Sequence, residues 1–252
     1  MNIQILSLPR SGKGCLVETL RQSPDISTYI GEPFNPDQIK KFSSDYNMGC
    51  GLQWKNILVA SKNNNVLIKH IHHAYYLEPN LHFQIKKIFL SFEHLMEQSY
   101  FTIRLIRRDV FGQVLSACVA EKTAKWHYLK GDKGYELYID PQYFKNRLWF
   151  YQLGHRVLLQ IPFKGVTLYY EDFAENNENI WNLVPQVRRP THYSCVEVVK
   201  SPDKQRHITN YDELWEIYQK LDWARYLRYS AVAQEIPIID PHTYSHYDLR
   251  FL

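Results

Sequence analysis

Apolar runs of five to seven residues recur along this chain, each leading into a polar turn and then a stretch with helical spacing. Residues 3–8, 66–71, 100–106 and 165–170 read as compact buried strands. Residues 14–23, 52–61, 82–98, 110–125 and 142–160 read as helices, and Pro24 stops the first of them. The Asn63-Asn64-Asn65 turn introduces the second strand, and residues 131–134 mark a loop or small insertion. Residues 25–36 read as an irregular connection. Beyond Tyr170 the pattern loosens, and 212–229 is the last helix it predicts. Strands alternating with helices predict an α/β fold: a parallel sheet, helices on both faces, and right-handed crossovers. Ligands of such sheets bind at the carboxyl ends of the strands. No internal repeat, low-complexity tract or linker interrupts the pattern, so 1–252 is read as a single domain.

Composition alters this picture only slightly. The chain has 252 residues, ample for a sizeable core, and its net charge of +4 is too small to argue for nucleic acid. Nineteen tyrosines and six tryptophans fit ring or sugar stacking, and fit a Tyr-rich core equally well. Cys15, Cys50, Cys118 and Cys195 are scattered with no CxxC pair, which reads as reduced, buried thiols and neither a disulfide frame nor a zinc site. The first eight residues lack a charged leader, so they do not read as a signal peptide. No stretch approaches the ~20 apolar residues that span a bilayer. A soluble, cytoplasmic protein is the expectation.

Two of the strand-to-helix turns carry cations. The first is Leu8-Pro9-Arg10-Ser11-Gly12-Lys13-Gly14-Cys15; the second begins at Arg107-Arg108-Asp109 and runs on through Gln113 and Ser116. Backbone N–H groups at a helix start favour anions, and basic side chains close over them. Two such turns about a hundred residues apart suggest a ligand with phosphates at both ends. The nearest generic pattern to the first is the Walker loop, G-x-x-x-x-G-K-[ST]. Here Ser7 stands for its leading glycine and Gly14 for its magnesium-binding hydroxyl. No acidic strand end of Walker-B type follows, because later strands end in His72-His73 and Arg107-Arg108. A kinase using ATP and Mg²⁺ is therefore the alternative reading and not the leading one.

Pro9-Arg10-Ser11-Gly12 after a strand resembles the 5′-phosphosulfate loop of sulfotransferases that use 3′-phosphoadenosine 5′-phosphosulfate (PAPS). Arg10 and Ser11 match that loop directly, while Lys13 and Gly14 stand where hydroxyl residues are usual. Arg108 and Ser116, eight apart, resemble the pair that binds the cofactor's 3′-phosphate in that superfamily. The longer run Arg107-Arg108-Asp109, Gln113, Ser116, Ala120, Thr123, Trp126-His127 is similar to the bacterial trehalose 2-sulfotransferase group. Gly31-Glu32-Pro33-Phe34 is similar to a Gly-Glu segment of trehalose- and nodulation-factor-type carbohydrate sulfotransferases. Tyr170-Glu171-Asp172-Phe173 resembles a late strand end whose carboxylates bond loop amides. Lys204 and Arg206 lie where relatives place a basic segment over the nucleotide. In motif order the resemblance covers about the first 175 residues.

The resemblance implies a P-loop-like sulfotransferase fold that binds PAPS, releases 3′-phosphoadenosine 5′-phosphate (PAP), and requires no metal. The nucleotide is expected against Pro9, Arg10, Ser11, Gly12, Lys13, Gly14, Cys15, Arg108 and Ser116, with Lys204 and Arg206 as further candidates. Sulfuryl transfer needs a base for the acceptor hydroxyl and cations for the equatorial oxygens and the departing phosphate. Arg10 and Lys13 are expected to supply the charge, and Glu32 to take the proton. His72, in Lys69-His70-Ile71-His72-His73, is the rival base, since animal cytosolic sulfotransferases use a histidine from a comparable strand end. Strand alternation puts Lys69, Ile71 and His73 on one face. The acceptor is expected to be a carbohydrate or other small molecule, bound by 35–51, 126–143 and the C-terminal part. A homodimer is a hint from the trehalose group. A degenerate nucleotide-binding protein without turnover is a third reading, supported by Lys13-Gly14.

Overall fold

The computed structural model describes residues 1–33, 46–63, 65–71, 100–124, 136–160, 164–194 and 204–221. The helix expected at 82–98, the loop at 131–134 and the end of the last expected helix lie outside the described residues. In chain order the elements are β1 (Ile3–Ser7), α1 (Lys13–Leu20), β2 (Thr28–Ile30), α2 (Tyr46–Asn63), β3 (Val66–Ile71), β4 (Phe101–Ile106), α3 (Val110–Thr123), α4 (Pro141–Gln160) and β5 (Gly165–Tyr169). A 3₁₀ turn (Tyr170–Asp172), α5 (Asn179–Leu183), α6 (Lys204–His207) and α7 (Tyr211–Lys220) follow. The chain divides into two compact units, Met1–Arg108 with Ile161–Glu197, and Asp109–Gln160 with Val198–Leu252.

The first unit carries an α/β sheet of five parallel strands in the order β2-β3-β1-β4-β5. All five residues of β1 are buried, as a central parallel strand covered on both faces requires. Its one side-chain amide reaches sideways: Gln4 Nε2 donates to Thr102 Oγ1 of β4 at 2.8 Å. From β1 through α1 the chain moves two places to β2, and through α2 it returns one place to β3. Right-handed crossovers then put α1 and α2 on opposite faces.

Two differences from the sequence reading have simple causes. The connection at 25–36 contains β2, three half-buried residues paired only with β3. An edge strand this short shows no apolar run. Helix α2 begins six residues before the helix expected at 52, because Gly49 and Gly51 mask the start of the pattern.

The described part of the second unit is mainly helical. Asp109 caps α3, its carboxylate accepting the Gly112 N–H at 2.8 Å. Asp140 likewise accepts from the Tyr143 N–H at 2.7 Å, and Pro141 fills the first turn of α4. Phe111 on α3 is the hub of an aromatic cluster, with the rings of Phe144, Tyr211, Trp215 and Tyr218 between 4.9 and 5.8 Å away. These five rings are thus spent on packing. Tyr100 and Tyr151, fully buried, belong to the same use. No helix among the described residues is long and apolar enough to cross a membrane.

Candidate functional site

At the exit of β1, Leu8 and Pro9 are buried and the chain makes a sharp turn into α1. Arg10 has φ 58° and Gly12 φ 79°, so two of the three residues from Arg10 to Gly12 lie in the left-handed region. Such turns aim successive N–H groups to one side. Ser11 is fully buried, and its hydroxyl donates to the Leu8 carbonyl at 2.6 Å, tying the turn across itself. Gly12 caps α1 with no side-chain hydrogen bond to the first turn, the arrangement that favours an anion there. Gly14 is exposed, with nothing within 4 Å of where a Cβ would stand. Cys15 is buried on the inner side of α1, where its sulfur accepts from Asn177 Nδ2 at 3.7 Å. Cys15 and Cys118 are in no disulfide, and burial pushes the Cys118 thiol up to about 12.

Sheet order brings a carboxylate to this turn. Strand β3 lies between β2 and β1, so Lys69 near its end has the segment after β2 on one side and the turn after β1 on the other. The Lys69 N–H donates to the Gly31 carbonyl at 3.1 Å, extending the ladder past the end of β2 and fixing where Glu32 begins. One oxygen of Glu32, Oε1, then meets both lysines: Lys69 Nζ at 3.0 Å and Lys13 Nζ at 3.6 Å. The side chains are 18, 19 and 13 % exposed respectively, so water screens these charges little.

Burial pushes Lys13 down to about 7; Glu32 favours its charge, while Lys69 and Arg10 oppose it. Burial also opposes the charge on Lys69, but Glu32 and Tyr29 outweigh it and its pKa rises above the usual lysine value. The pair therefore divides the labour: one fixed cation and one that titrates near neutrality. For Lys13 the consequence for stability has a definite sign. Between about pH 7 and the ordinary lysine range the unfolded chain holds a proton that the folded chain lacks, so stability rises with pH across that window. Below it both states are protonated and the cost is constant. Melting temperatures of wild type should climb relative to Lys13→Met from pH 7 to 9.5. Parallel profiles would contradict it.

The second basic turn follows β4, the neighbour of β1 on its other side. Arg107 reaches the first turn, donating from Nη1 to the Arg10 carbonyl at 3.3 Å, and lies 5.3 Å from the centre of the Tyr170 ring. Arg108 is half-exposed; its guanidinium grips Asp172 at 2.7 and 3.4 Å and covers the Tyr169 ring at 4.0 Å. Glu171 accepts the Arg108 N–H at 3.1 Å, the amide-bonding role read for this segment, whereas Asp172 takes the guanidinium instead. In the second unit, Ser116 is buried on α3, and α6 holds half-buried Lys204 and exposed Arg206. His72 lies outside the described residues.

The structure thus brings Arg10, Gly12, Lys13, Glu32 and Lys69 together within one unit. Lys69 is the member that no motif in the sequence marks, standing beside the histidines at 70, 72 and 73. A lysine inside an otherwise apolar strand was the available signal, since such a charge needs a partner. Among the described residues no group of three or more His, Cys, Asp and Glu side chains is placed to hold a metal ion.

No protein-family model matches this chain, and no curated protein matches it. Among solved structures, a sulfotransferase from Alicyclobacillus acidocaldarius superposes with a TM-score of 0.46 at 12% identity, over 81% of this chain and 88% of that one. A sugar kinase from Janibacter sp., in an unliganded structure, does so with a TM-score of 0.35 at 11% identity, over 76% and 98%. At these values neither likeness identifies a family.

Proposed function

We propose that this protein is a sulfotransferase that moves the sulfuryl group of PAPS to an acceptor hydroxyl, on a carbohydrate or related small molecule. The observation that supports it is the convergence of Lys13 and Lys69 on Glu32, with Arg10 near enough to act on Lys13, at an uncapped helix start beside a left-handed turn. Among the described residues, two lysines share one carboxylate oxygen there. The excess positive charge suits the phosphosulfate end of the donor, and the carboxylate suits a proton acceptor within the same pocket. The motif resemblance of Pro9 to Gly12 and of the run from Arg107 supports the donor's identity.

The donor supplies an activated sulfuryl group on a phosphate leaving group. Glu32 takes the acceptor hydroxyl proton as the oxygen attacks in line. Arg10 and Lys13, with the first N–H groups of α1, offset charge on the equatorial oxygens and the departing phosphate. Lys69 holds Glu32 in place. As the resemblance implies, Arg108 takes the 3′-phosphate.

A phosphate at Arg108 competes with Asp172, and magnitudes favour the phosphate. The half-exposed Arg108–Asp172 pair is worth only about 0–1 kcal/mol, and a phosphate brings more charge than a carboxylate and three acceptor oxygens to the same guanidinium. Arg108→Ala should therefore weaken PAP binding roughly 10- to 100-fold and leave 5′-AMP binding nearly unchanged, as read by calorimetry. An equal loss for both nucleotides would move Arg108 out of the 3′-phosphate role.

Incubation with donor labelled in its sulfuryl group, against a panel of glycans, glycolipids and phenols, tests the activity itself. Label should appear in at least one hydroxyl-bearing acceptor without added metal. Bound PAP with no transfer to any acceptor favours the degenerate binding protein. Turnover only with ATP and Mg²⁺ favours the kinase.

A further inference from the structure

Tyr169, Glu171 and Asp172, at and just past the end of β5, all meet one arginine. Strand pairing sets Tyr169 beside Ile106, and Arg108 follows two residues later. The Tyr169 ring lies 4.0 Å from the Arg108 guanidinium and backs its plane. Glu171 accepts the Arg108 N–H at 3.1 Å and fixes the backbone from which the side chain leaves. Asp172 takes the tips, its two oxygens accepting from Nη1 at 2.7 Å and Nη2 at 3.4 Å. The plane and the root of the side chain are thus held independently of the carboxylate at its tips. A guanidinium held in this way is pre-organised for an anion that meets it end-on. Carboxylate and phosphate make the same forked contact with such a group. Asp172 therefore stands where a phosphate oxygen pair would stand.

We infer that Asp172 is an internal stand-in for the 3′-phosphate: it holds the Arg108 guanidinium until the nucleotide takes its place, and so sets how tightly PAP is held and how fast it leaves. The inference rests on the proposed role of Arg108 as the 3′-phosphate ligand and adds to it a residue that controls affinity and release. Asp172 is the partner able to give way. Its backbone is anchored, since its carbonyl accepts from Asn179 Nδ2 at 3.1 Å. Its side chain is 35 % exposed, so a change of rotamer hands the carboxylate to water at small cost. Arg108 need not move, because the Tyr169 ring and the Glu171 contact stay with it. One anion replaces another, and the guanidinium keeps a counter-charge throughout. Every PAP that binds has to displace the carboxylate, which lowers its affinity. The same carboxylate returns as PAP departs, which speeds release. A nucleotide without a 3′-phosphate meets no such competition.

The test is calorimetric titration of the full chain and of Asp172→Asn with PAP and with 5′-AMP, Asp172→Ala serving if the amide variant does not fold. The substitution removes the competing charge and leaves Tyr169 and Glu171 in place. PAP should bind about two- to fivefold tighter to the variant, the range that a half-exposed ion pair allows. It should also leave more slowly by a similar factor in stopped-flow displacement. Affinity for 5′-AMP should be the same in both proteins. In an Arg108→Ala background, the Asp172 substitution should no longer alter PAP binding, because the two residues act as one pair. Tightening that persists without Arg108 marks a general charge effect and overturns the inference. Unchanged or weaker PAP binding in the Asp172 variant overturns it too, for Asp172 would then support Arg108 and not compete for it. In either case a loss of PAP affinity in Arg108→Ala leaves the 3′-phosphate site standing. Arg108→Ala that binds PAP as wild type does removes that site and this inference together.

Discussion

Glu32→Gln should lower turnover by roughly 10²- to 10⁴-fold, the usual contribution of a positioned base. Glutamine keeps the shape and can still accept from Lys69 through its carbonyl, so folding should survive. Nucleotide binding should hold or tighten, because the substitution removes a negative charge from beside Lys13 and Lys69, where the proposed donor's anionic end would sit. That split distinguishes a base from a structural carboxylate. A purely structural Glu32 would cost stability and binding together and leave a residual rate that tracks the folded fraction. Measured kcat near wild type in a well-folded Glu32→Gln protein would remove Glu32 from the chemistry and turn attention to His72.

Gly12→Ala should be the most damaging small substitution in the first turn. The residue has φ 79°, and a Cβ there would stand 2.0 Å from Cδ2 and 2.3 Å from Cε2 of Tyr170. The left-handed backbone costs about 1–2 kcal/mol for a non-glycine residue, and forcing the ring aside adds about 1–3 kcal/mol. For a chain of this size that lowers the melting temperature by roughly 5–15 °C. Nucleotide binding should fail as well, since the displaced Tyr170 ring lies under the Arg107 guanidinium that reaches the Arg10 carbonyl. Gly14→Ala is the internal comparison. Its Cβ meets nothing within 4 Å, so it should melt within a few degrees of wild type. Equal melting temperatures for the two variants would mean that the turn tolerates a side chain at Gly12.

How much of this was legible beforehand depended on whether a feature is local. The buried strands at 66–71 and near 3–8, 100–106 and 165–170 carry their own apolar runs, and the structure places strands on them to within a residue at either end. Helix α4 starts one residue before the helix expected at 142, because Asp140-Pro141 is a strong start signal. The short edge strand β2 was illegible, because its three residues gain their order only from β3. The phosphate-type turn could be read from Pro9-Arg10-Ser11-Gly12, but its left-handed arginine could not. Glu32 could be named from its neighbours. What it touches could not, since the approach of Lys69 to Glu32 and Lys13 follows from β3 lying between β2 and β1, a property of strand order. The partner of Arg108 was hidden for the same reason, with Asp172 arriving from the end of β5 sixty-four residues later.

The most direct measurement is the affinity of the full chain for PAP against 5′-AMP, in chelator, with ATP and Mg²⁺ titrated in parallel. A pocket that grips phosphate at both ends of the nucleotide predicts metal-independent binding of PAP, at least about tenfold tighter than 5′-AMP. Equal affinity for the two adenosine nucleotides, or binding of ATP with Mg²⁺ and none of PAP, would contradict it.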